Sequence, residues 1–146
     1  MNAAYESLPA ERRARLDGMQ TANQRVSSAR LATANPDTLA DQERLAEPLM
    51  MHPLVRTHPD RGTKAIWFHQ GKTETVTGLD PFETQDFLKE LLAEIIQDEF
   101  TYTHEWSLGD VLIVDNRSAL HKAGSDYDMS EQRKLYRTMV RGDRPF

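Results

Sequence analysis

Two arginines set four apart near the end of the chain, Arg133 and Arg137, do most to limit what it can become. They fall in the run RKLYRTMV, from Arg133 to Val140. If that run is a strand, residues of one parity share a face, so Arg133, Leu135, Arg137 and Met139 project together. Guanidinium groups set among apolar neighbours need anionic partners, because an unpaired buried charge is costly. The expectation is a sheet beside a cavity that receives anions. Just upstream, Val111 to Val114 is apolar on both faces, which predicts an interior strand. It ends in the polar turn Asp115-Asn116-Arg117, and a lone histidine, His121, follows.

At 146 residues the chain is long enough for a single domain, 1–146, with a core of its own. A formal charge of −5 and the lack of any basic run argue against nucleic acid as a partner. With no cysteine there is no disulfide, thiolate nucleophile or cysteine-based metal site. No apolar run approaches the roughly 20 residues of a membrane span, and the first residues lack a signal peptide's apolar core. A soluble cytoplasmic protein with no membrane partner is expected.

Taken in order, Pro9 to Gln24 reads as a helix with a wet, charged face. Residues 23–47 are polar and without period, a loop or lid with room for a short helix from Asp37 to Ala46. Met50 to Thr57 and Lys64 to His69 read as two strands joined by the turn residues His58-Pro59-Asp60-Arg61-Gly62. Lys72 to Thr77 alternates and reads as a further strand. Asp80-Pro81-Phe82-Glu83 has the spacing of a capping box, opening a helix whose stripe is Leu88, Leu91, Leu92, Ile95 and Ile96. Thr101 to Trp106 alternates, with Tyr102, His104 and Trp106 on one side. Short strands with one or two helices predict an α+β, β-rich fold, a sandwich or barrel decorated with helices.

Of the five histidines, His52, His58, His69 and His104 are accounted for by turn formation, packing or pairing. His121 stands apart, because it follows a buried strand and its turn with the paired arginines beyond. Hydrolase and phosphate-binding readings find no support: there is no Gly-x-Ser-x-Gly elbow, and the glycines are scattered.

Several segments, in order, resemble the taurine/α-ketoglutarate dioxygenase (TauD/TfdA) family. They are Asn2-Ala3-Ala4-Tyr5 with Leu8-Pro9, then His52-Pro53-Leu54-Val55-Arg56-Thr57-His58-Pro59 with Gly62. Trp106 with Gly109-Asp110 follows, then Asp115-Asn116-Arg117 before His121, then Arg133 and Arg137 leading to Gly142-Asp143-Arg144-Pro145. The resemblance implies a partial double-stranded β-helix (jelly roll) with flanking helices. It also implies non-haem Fe(II) chemistry with 2-oxoglutarate as cosubstrate, O2 as co-reactant, and hydroxylation of a small anionic substrate such as a sulfonate or carboxylate. By position, His121 matches the distal iron ligand, Arg133 the arginine that holds 2-oxoglutarate, and Arg137 the arginine that meets the substrate's anionic group.

In the family the His-x-Asp pair of iron ligands precedes the segment matched by Ala3-Ala4-Tyr5. The chain is therefore expected to be a truncated C-terminal portion carrying one of three iron ligands. Its one His-x-Asp, His58-Pro59-Asp60, falls in the hairpin turn and is explained by turn formation. Activity then needs an upstream half-chain, and unpaired strand edges make a homo-oligomer another expectation. The alternative is a non-catalytic anion-binding or interaction module on the same fold. Trp67, Phe68 and Trp106 are candidates to line a substrate pocket.

Overall fold

A computed structural model of the chain describes residues 1–24, 49–124, 128, 130, 134–140, 142 and 144–146. Two short helices open it, α1 (Asn2–Ser7) and α2 (Ala10–Asp17). Leu8 precedes a proline and is held extended, which ends α1, and Pro9 then caps α2. The single helix expected from Pro9 to Gln24 is thus too long. α2 stops at Gly18, and the next residues form β1 (Gln20–Asn23). Polar composition concealed this strand, because its place is set by two partners far along the chain.

β1 is the middle of a three-stranded antiparallel sheet, with β2 (Met50–Pro53) on one side and β5 (Thr73–Val76) on the other. Its Thr21, Ala22 and Asn23 are buried. Polar residues survive there because they satisfy one another. Asn23 Nδ2 donates to Thr21 Oγ1 at 2.8 Å, and Thr73 Oγ1 donates to Asn23 Oδ1 at 2.7 Å.

The strand expected over Met50 to Thr57 is real but divided. Leu54, fully buried, separates β2 from β3 (Val55–Thr57), and the two pieces join different sheets. β3 pairs antiparallel with β4 (Lys64–Ile66), as the turn chemistry of residues 58–62 predicts. Gly62 takes φ 67°, a left-handed value suited to glycine, and its N–H donates to His58 O at 2.8 Å. The strand read at Lys72 to Thr77 is β5.

α3 (Pro81–Ile95) begins where its capping box placed it. Asp80 Oδ1 accepts from the N–H groups of Phe82 and Glu83 at 2.8 and 2.9 Å, and Glu83 Oε2 accepts from Asp80 N–H at 3.0 Å. Its buried stripe is Phe87, Leu88, Leu91 and Ile95, with Ile96 left exposed. Thr84 sits on the same face, accepting the Val76 N–H at 3.0 Å, so α3 is fastened to β5. The core joins these residues to Tyr5, Leu16, Leu54, Ile66 and Val76. A turn of 3₁₀ helix, Asp98–Phe100, follows α3. No helix of the described residues is long and apolar enough to cross a membrane.

The interior strand expected at Val111 to Val114 is not formed. The segment is without regular structure, and Val111 and Ile113 are 86% and 91% exposed. An apolar run supplies the incentive for burial, but a strand also needs ladder partners for its N–H and C=O groups. None of the described residues provides them. Thr101 to Trp106 and residues 134–140 likewise carry no strand. The short helix proposed at Asp37 to Ala46, the body of the 23–47 loop and Arg133 lie outside the described residues.

Candidate functional site

The turn that closes β3 onto β4 is tied to the turn that precedes His121. His58 is 5% exposed and sits at the centre of the tie. Its Nδ1 accepts the backbone N–H groups of Asp60 and Arg61, both at 3.2 Å. That leaves Nε2 to donate, and it meets Asp115 Oδ2 at 2.9 Å. Asp115 Oδ1 in turn accepts from Arg117, through its backbone N–H at 2.9 Å and its Nε at 3.0 Å. Arg117 Nη1 then reaches back to Asp60 Oδ2 at 2.9 Å and closes the circuit.

The Arg117 guanidinium, with help from the Arg117 N–H and His58, holds the Asp115 carboxyl well below the usual carboxylate range against the cost of burial. Asp115 therefore stays charged. The arrangement also commits every polar atom of His58 and one oxygen of Asp60 to hydrogen bonds within the chain.

Of the predicted site residues, His121 and Arg137 fall on segments without regular structure. His121 is exposed, next to Leu120, which packs against the core. His121 is near enough to His69 for its charge to be felt there. Burial, then Lys72, and lastly His121 lower the pKa of His69. Arg137 is exposed, with Nη2 3.0 Å from Met139 Sδ. Arg133 lies outside the described residues.

Among the pocket candidates, Phe68 belongs to the core. Trp67 stacks on His52, ring centroids 4.9 Å apart, and carries the Arg56 guanidinium 5.4 Å from its centroid. Trp106 is exposed and meets His104 edge-on at 4.6 Å.

These residues do not by themselves fit an iron ion. Among the described residues no three His, Cys, Asp or Glu side chains group closely enough to hold a metal. The last carboxylate before His121, Asp115, is engaged by His58 and Arg117. Sequence reading treated His58 and Asp115 as parts of two separate turns. Their pairing has no spacing signature, and the only hint was a histidine and an aspartate each placed in a turn.

Residues 1–139 match the profile of the family described as "Taurine catabolism dioxygenase TauD, TfdA family". The chain is 36% identical over 143 residues to an α-ketoglutarate-dependent 2,4-dichlorophenoxyacetate dioxygenase of Cupriavidus pinatubonensis. That alignment takes in 98% of this chain and 48% of the relative, so the chain spans about half the relative's length. Among solved structures it is similar to a Burkholderia xenovorans protein assigned as an α-ketoglutarate-dependent 2,4-D dioxygenase. There the TM-score is 0.64 and the identity 33%, over 81% of this chain and 45% of that one. It is also similar to AAD-2 in complex with Mn(II) and N-oxalylglycine, with TM-score 0.60 and 25% identity, over 74% of this chain and 42% of that one.

Proposed function

The chain belongs to the TauD/TfdA dioxygenase family, and from that premise we propose that it forms the C-terminal portion of a 2-oxoglutarate-dependent dioxygenase acting on a small organic anion. The observation that carries this reading is the family match over residues 1–139. The family's fold is a jelly roll, of which the antiparallel sheets here are a part. Fe(II) and 2-oxoglutarate are the family's cofactors, and together they supply the activation of O2 when bound.

In this reading His121 is one imidazole donor to the iron. Arg133 pairs with the distal carboxylate of 2-oxoglutarate, and Arg137 with the anionic group of the substrate. A planar guanidinium fork suits both tasks, because it meets a carboxylate or sulfonate with two parallel hydrogen bonds and never loses its charge. The phenoxyacetate named for the Cupriavidus relative favours a carboxylate as that group. A lone imidazole holds Fe(II) poorly, since the carboxylate of a facial triad supplies both charge and geometry. The other ligands are assigned to sequence outside these 146 residues, in the same polypeptide or a partner chain.

The test is succinate formation from 2-oxoglutarate with Fe(II) and an aryloxyacetate. The chain is assayed alone and with a co-expressed upstream half of the 2,4-dichlorophenoxyacetate dioxygenase. Turnover is expected only with the upstream half, and is expected to be lost in His121→Ala. Turnover by this chain alone that survives His58→Ala and Asp60→Ala would overturn the one-ligand assignment.

A further inference from the structure

Where β3 enters its turn, the last residues of the chain come alongside, with Thr57 N–H donating to Phe146 O at 2.8 Å. Between them lies a cavity of about 60 Å3 whose walls include Arg56, Arg117 and Arg144. Among the described residues no acidic side chain lines it. The three guanidinium groups differ in how well they are satisfied. Arg117 is spent on Asp115 and Asp60. Arg56 lies across Trp67, and its Nε is shut off from solvent without a hydrogen-bond partner. Arg144 is exposed and makes no hydrogen bond or ion pair with a described residue.

Three guanidinium groups therefore meet at one cavity of a chain whose formal charge is −5. Their reach is visible on neighbouring groups. Burial does most to lower the pKa of His52, and the charges of Arg56 and Arg144 lower it further. Burial also does most to lower that of Arg56, with Asp115 opposing and Arg117 reinforcing. On this measure of volume one water needs roughly 10–15 Å3, so the cavity has room for one compact polyatomic group.

We propose that this pocket binds a small oxyanion, with the guanidinium groups of Arg56 and Arg144 donating to it. The ligand is a sulfate, a phosphate, or the carboxylate or sulfonate group of a small organic acid. All of these offer oxygen acceptors to a guanidinium fork. The site stands on these residues alone and needs neither iron nor turnover, so it survives or fails independently of the dioxygenase reading.

The experiment titrates the iron-free chain with sulfate, phosphate, methanesulfonate and acetate at constant ionic strength. Binding is followed by calorimetry and by the Arg Nε–H resonances in NMR spectra. The expected result is saturable binding of at least one of these anions, a shift of one Nε–H signal that Arg56→Gln removes, and at least tenfold weaker binding in Arg144→Gln. The anion bound most tightly identifies the source: sulfate or phosphate an inorganic ion, methanesulfonate or acetate the head of an organic acid. Arg15, exposed on α2, is the charge control, and Arg15→Gln is expected to bind as the wild type does. Equal weakening in Arg15→Gln, or no saturable binding of any of the four, would overturn the proposal. Because Arg144 is exposed, Arg144→Gln folds normally and keeps the test decisive even if Arg56→Gln does not.

Discussion

His58 Nε2 donates to Asp115 Oδ2 at 2.9 Å, joining residues 57 apart in sequence. The bond pins the turn before His121 to the β3–β4 hairpin, in a stretch that has little regular structure of its own. His58→Ala leaves Asp115 and two backbone N–H groups short of a partner. It should cost about 1–3 kcal/mol of stability, measured as a lower midpoint in chemical denaturation.

Asp115 makes that tie pH-dependent. Its folded-state pKa is depressed, chiefly by the Arg117 hydrogen bond, so its contribution is fully present above the unfolded value. It fades as the pH falls from about 4, the ordinary value for aspartate, towards the depressed one. Wild type and Asp115→Asn should therefore differ in stability at pH 7 and at pH 5, and converge in strong acid. Melting temperatures of both across that range check the sign; a gap that widens in acid would contradict it.

Thr84 is fully buried and accepts the Val76 N–H. Thr84→Val keeps the shape but strands a backbone donor, which should cost about 1–3 kcal/mol. Thr84→Ser keeps the oxygen and should lose less. Equilibrium unfolding of the pair separates the hydrogen bond from the packing.

At the start of α3, Asp80→Ala removes the acceptor for the Phe82 and Glu83 N–H groups. A loss of about 1 kcal/mol is expected, read as a drop in the thermal midpoint with helix content otherwise retained.

His121 is exposed, so His121→Ala should change stability by no more than about 0.5 kcal/mol. With the upstream half supplied, succinate formation should fall by about 100-fold or more, the upper end of what even indirect support of a metal ligand is worth. Unfolding and turnover measured on one preparation would show the two effects part company.

What was legible in the sequence is what local chemistry decides. Asp80 to Glu83 announce α3 because a capping box closes within four residues. Gly62 marks the hairpin because only its own φ has to be right. The sequence of β1 predicts helix, since nothing within Gln20–Asn23 reveals that β2 and β5 will flank it. Val111 to Val114 predicts an interior strand from apolarity alone, and apolarity does not supply a ladder. The tie between His58 and Asp115, and the convergence of Arg56 with Arg144, depend on how distant segments are folded onto one another. For the site, the sequence singles out His121 and Arg137, and both lie on segments without regular structure.

The central position of β1 also dictates when the sheet can close. Asn23 waits for Thr73, fifty positions later, before its side chain finds its hydrogen-bond donor. At roughly 5–20 residues per second of synthesis, that wait is on the order of 3–10 s at the ribosome. During it Asn23 Oδ1 has only water to donate to it, and a nascent chain interrupted before Val76 would present a two-stranded ribbon of β1 and β2 with an open edge.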